Sequence, residues 1–162
     1  MLCFFAPVLA QAQTLEFQGL KIGDSIDTVK ARYDGAQCVK LTTEEGELTC
    51  MVKAIDYAVP LRDAMFSFEK NQLTLITAEF DTAAYGTLRQ AAITRFGKPS
   101  STTPLKVQNG FGATRSGTTV IWERDGLSLM IGEYGETLTN GRVFFQSSKP
   151  KPDKTKQNAG KM

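Results

Sequence analysis

A chain of 162 residues can bury one sizeable core and is too short for a large two-domain enzyme. With 41% hydrophobic and 22% charged residues and a net charge of +2, it reads as soluble and globular, neither disordered nor a membrane bundle. It contains no His, which excludes Ser-His-Asp and Cys-His catalysis, HExxH zinc sites and a histidine pH switch.

Residues 2–10 form an uncharged apolar run leading into Ala10-Gln11-Ala12, the small-x-small pattern at which signal peptides are cut. Residues 1–12 are therefore expected to be a secretory signal with a truncated basic region, and the mature protein to be periplasmic or secreted. Asp24-Ser25 offers an N-cap, and Ile26, Val29 and Tyr33 follow at helical spacing before Gly35 ends the run. Strands are expected near 38–42, 47–55, 63–69 and 73–80, rich in Val, Ile, Phe and Thr. A second helix should start near Asp81-Thr82, carry Tyr85, Leu88, Ala92 and Phe96 on one stripe, and stop at Gly97 with Pro99 beyond. Further strands are expected near 103–108, 118–124, 127–134 and 141–147, with Asn109-Gly110 and Asp125-Gly126 as turns.

The order helix, four strands, helix, four strands predicts an α+β fold. In it, two helix-plus-four-strand repeats, 15–80 and 81–148, build one antiparallel sheet with the helices on one face. Residues 13–148 would be a single domain. Residues 149–162 carry five lysines against one aspartate and no aliphatic periodicity, which predicts a disordered tail. The tail holds +4, so residues 1–148 carry −2 and offer no basic surface for nucleic acid.

Cys38 and Cys50 remain once the signal is removed, and an even count in an exported chain predicts a disulfide stapling a hairpin that turns near Gly46. A zinc or redox pair lacks further Cys or His ligands and the C-x-x-C spacing. No GxSxG, SxxK or P-loop motif is present. Gly110-Phe111-Gly112 leads toward a strand, so it reads as a hairpin loop and not as a phosphate loop. Glu44, Glu45 and Glu47 lack the alternating ligands of a calcium loop. No enzyme, metal or cofactor is expected.

A two-residue turn at Asp125-Gly126 would pair Trp122 with Leu129 and Val120 with Ile131, leaving Ile121, Met130 and Tyr134 on the reverse. The same assignment at Lys70-Asn71 pairs Phe68 with Leu73 and Phe66 with Leu75, leaving Met65 and Ile76 on the reverse. Two helices cover one side of such a sheet. The other side, bearing Met65, Ile76, Ile121, Met130 and Tyr134, is expected to bind a protein, either another envelope or secreted protein or a second copy in a homodimer. A different role, as a structural envelope component held to an anionic surface by its Lys-rich tail, follows from the charge of residues 149–162.

Leu20-Lys21-Ile22-Gly23-Asp24-Ser25 with Val29, then Gly35-Ala36-Gln37-Cys38 and Cys50, resembles the first repeat of the beta-lactamase inhibitory protein family. The helix start is also similar to that of the small lipoproteins of the outer-membrane assembly machinery. The resemblance covers residues 17–80 and implies a long curved sheet backed by helices, gripping a target through its concave side. It also implies a loop, Asp56-Tyr57 here, that enters the target's active site.

Overall fold

The computed structural model describes residues 14–40, 47–108 and 110–148. The signal-like segment, the Lys-rich tail, Glu44, Glu45 and Asn109 lie outside them. Ser25 caps helix α1 (Ile26–Arg32), its hydroxyl accepting from the Thr28 amide at 3.3 Å. Only Val29 of α1 is fully buried, and Ile26, one turn earlier on the same stripe, packs partly buried against the core. Strands β1 (Gln37–Val39), β2 (Glu47–Asp56), β3 (Pro60–Glu69) and β4 (Gln72–Asp81) follow. The Asp81 carboxylate accepts from the Ala83 amide at 2.8 Å and caps a 3₁₀ turn (Thr82–Ala84) leading into α2 (Tyr85–Phe96). Helix α2 buries Tyr85, Leu88, Ala92 and Phe96, the predicted stripe, and ends at Gly97 with φ 79°. Strands β5 (Ser101–Gln108), β6 (Thr114–Arg124), β7 (Leu127–Gly132) and β8 (Asn140–Ser147) follow α2.

The expectation of a balanced α+β fold built from two helix-plus-four-strand repeats is overturned. The described residues are mostly sheet and only 17% helical. Among the described residues, eight strands form one antiparallel sheet in the order β1-β2-β3-β4-β8-β7-β6-β5. The expected repeat boundary at residue 80 falls inside β4, whose ladder with β8 runs from Leu75↔Gln146 to Asp81↔Asn140. Long-range pairing of β4 with β8 fuses the halves into one layer, and the two short helices are appendages on it.

One side of the sheet is the core. Phe66, Phe68, Phe80, Trp122, Ile131 and Phe145 are all buried there, with the amino-terminal segment Leu15, Phe17 and Leu20 and both helices against them. The Trp122 indole donates to the Gly97 carbonyl at 2.8 Å, tying the carboxyl end of α2 to β6. The Tyr33 ring lies 5.3 Å from Phe66, and its hydroxyl donates to Gln18 Oε1 at 2.7 Å. Desolvation pushes the Tyr33 phenol above its ordinary pKa of 10.0, with Arg32 pulling the other way. A folded-state pKa above the unfolded one gives stability that is full below pH 10.0 and lost as pH rises beyond it. Thermal melts of wild type should therefore fall more steeply above that pH than those of Tyr33→Phe; parallel melts would show that Tyr33 does not titrate in this way.

Cys38 and Cys50 face each other directly in the β1/β2 ladder and form a disulfide with S–S 2.01 Å. Its presence indicates an oxidising environment. Trp122↔Leu129 and Val120↔Ile131 pair as the turn at Asp125-Gly126 predicts. The register of β3 with β4 differs from the expectation. Phe68 does oppose Leu73, but a bulge then places Ser67 opposite Leu75 and Phe66 opposite Ile76. One extra residue in β4, Thr74, turns Ile76 inward, and it is 0% exposed.

Candidate functional site

The side of the sheet away from the helices is built by simple alternation. In β2, Cys50 and Val52 point to the core, so Met51 points away; in β6, Val120 and Trp122 do so, and Ile121 points away. Applied to every strand, the registers give one continuous transverse row: Gln37, Met51, Met65, Thr77, Phe144, Met130, Ile121 and Ser101. The row is apolar across its middle six strands, apart from one Thr, and polar at both edges. Met51 is 44% and Met65 39% exposed, while Phe144, Met130 and Ile121 are half-buried. Thr77, the smallest member of that middle stretch, is screened between its cross-strand neighbours Met65 and Phe144.

The next row toward the β2/β3 turn is polar and charged. Arg142 Nη2 donates to Glu79 Oε1 at 2.9 Å and its Nη1 to Glu136 Oε1 at 3.1 Å. Asn140 Nδ2 donates to Glu79 Oε2 at 3.0 Å and its Oδ1 accepts from Arg62 Nη2 at 3.2 Å. The hydrogen bond to Glu79 raises the already high pKa of Arg142 against partial desolvation, so the guanidinium stays charged. Its carbon centre lies 5.8 Å from the Phe144 ring centroid, coupling this network to the apolar row.

The hairpin of β5 and β6 outruns its neighbours. Strand β7 accompanies β6 only from Arg124 to Thr119, whereas β5 follows it to Gln108↔Thr114. Five further residues of β6 make a two-stranded arm about 17 Å long. Its tip, Gly110-Phe111-Gly112, is a turn as expected, with Phe111 99% exposed. At its base the Tyr134 ring lies over Gly117, where any Cβ would sit 2.6 Å from Tyr134 Cε2.

The predicted binding residues therefore separate. Met65, Ile121 and Met130 share the transverse row. Tyr134 lies beyond the end of β7 and stands over Gly117 on the same side. Ile76 does not belong there, since the β4 bulge buries it against Phe66. Asp56 is exposed at the end of β2, far from the row, and its carbonyl accepts from Gln18 Nε2 at 2.6 Å. Tyr57 is turned inward, its ring stacked 5.9 Å from Phe17, which corrects the expectation that it projects toward a partner. The sequence reading missed Met51, Thr77 and Phe144. Phe144 stands between Val143 and Phe145, a run whose uniform apolarity hides which face each residue takes.

Among the described residues, no group of three or more His, Cys, Asp or Glu side chains could hold a metal ion. Among them, too, no helix is long and apolar enough to cross a membrane. Comparison with protein-family models, curated proteins and solved structures gives no match.

Proposed function

We propose that the protein is an exported, non-enzymatic binding module that engages another envelope or secreted protein through the helix-free side of its sheet. The observation that carries this reading is the apolar row from Met51 to Ile121, which crosses six strands on the side opposite both helices. A row of exposed Met51 and Met65 with half-buried Ile121, Met130 and Phe144, bordered by a hydrogen-bonded charged row, has the layout of a protein interface, with an apolar centre and a polar rim. Export is supported by the signal-like residues 1–12 and by the disulfide. The resemblance to the beta-lactamase inhibitory proteins supports a binding role for the sheet. The inward turn of Tyr57 leaves less of the Asp56-Tyr57 loop available as an inserting element.

The test is retention of envelope or secreted proteins on immobilised, oxidised protein. Met130→Asp and Ile121→Asp, checked for native circular dichroism, should each reduce retention about tenfold or more, since each puts an unpaired carboxylate into the desolvated centre. Equal retention by wild type and both variants would reject the reading.

A further inference from the structure

The transverse row is self-complementary. Strands β4 and β8 are the middle pair of the eight, so a two-fold axis parallel to the strands and facing their seam reverses strand order while keeping each row in place. That operation sets Met51 against Ile121 of a second copy, Met65 against Met130, and Thr77 against Phe144. Large meets small at the centre, apolar meets apolar on either flank, and polar Gln37 meets Ser101 at the rims. In the adjacent row, Glu79 on β4 falls opposite Arg142 on β8 of the other copy, giving four alternating charges around the axis.

We propose that a second copy of this chain occupies the helix-free face when no other protein does, in a face-to-face two-fold dimer. The proposal rests on the reading of that face as a docking surface, and adds the occupant. Facing sheets with native twist pack about 10 Å apart and aligned at about −30°, so contact is heaviest along the β4/β8 seam. Six strands at about 4.8 Å spacing and three rows of side chains bury on the order of 600 Å² per copy, or about 1,200 Å² in all. That total is just above the ~1,000 Å² of a specific interface, which points to a reversible dimer.

The geometry sets a discriminating experiment in the full chain carrying Cys3→Ser. In the dimer Met65 lies across from Met130 of the other copy, whereas each residue sits about 14 Å from its own symmetry mate. The same spacing of three strands separates Met65 from Met130 within one chain. Met65→Cys and Met130→Cys proteins treated with a bis-maleimide linker of about 8 Å should give covalent dimer when mixed and little when either is treated alone. Sedimentation velocity should show wild type self-associating, Met130→Asp weakened about tenfold or more, and Glu79→Arg weakened, with Glu79→Arg/Arg142→Glu restored. Cross-linking of either variant alone, or none in the mixture, overturns the dimer. A wild type that stays monomeric while Met130→Asp abolishes retention of other proteins overturns it too, and leaves the docking surface intact.

Discussion

Replacing Trp122 by Ala should cost about 3–5 kcal/mol of folding stability, the range for removing a large aromatic from a core. The indole is 1% exposed, opposes Leu129 across the β6/β7 ladder, and donates to the Gly97 carbonyl at the end of α2. Truncation thus opens a cavity between sheet and helix and removes the part-buried hydrogen bond to the Gly97 carbonyl, the cavity being the larger loss. Arg124, two residues on, still donates to the Phe96 carbonyl at 3.0 Å, so α2 keeps one tether. Trp122→Phe should fall well short of the Ala variant, because it fills most of the volume and loses only the hydrogen bond. Urea unfolding of the three proteins would check this, and equal midpoints for wild type and Trp122→Ala would refute it.

Loss of the Cys38–Cys50 disulfide ranks next. The bridge closes a loop with a sequence separation of 12 between the edge strand β1 and β2. The chain-entropy model gives about 3 kcal/mol for a loop of that length. Strand β1 has only three residues, so its ladder alone is a weak hold, and the bridge is expected to decide whether the edge of the sheet stays paired. Cys38→Ser/Cys50→Ser should unfold at lower urea and exchange the amide protons of residues 37–39 much faster than wild type. The β7/β8 amides, four strands away or more, should lose protection only in step with global stability. Unchanged exchange at β1 would show that the sheet edge holds itself.

Much of the local architecture is legible in the residues. Ser25 caps α1 because its hydroxyl reaches an orphan amide, and Gly97 ends α2 because it takes a positive φ without a Cβ penalty. Asp125-Gly126 sets the β6/β7 register, so Trp122 and Val120 find their predicted partners. Lys70-Asn71 is less informative. Both residues have positive φ as a tight turn requires, yet the Thr74 bulge just beyond shifts the pairing by one. Alternation carries a face assignment only as far as the next bulge, which is why the outward position expected of Met65 holds and that expected of Ile76 does not.

By itself the sequence determined which segments are strands or helices, which two cysteines meet, and which side chains of α2 are buried, since these follow from periodicity, capping and short-range turn chemistry. Only the tertiary structure decided that β4 pairs with β8, that Tyr57 turns in toward Phe17, and that Met51, Thr77 and Phe144 complete an apolar row. The physical reason is the range of the interactions. A turn or a cap is settled within a few residues, whereas the β4/β8 ladder joins residues about 60 to 70 positions apart, and nothing in either strand alone specifies its neighbour.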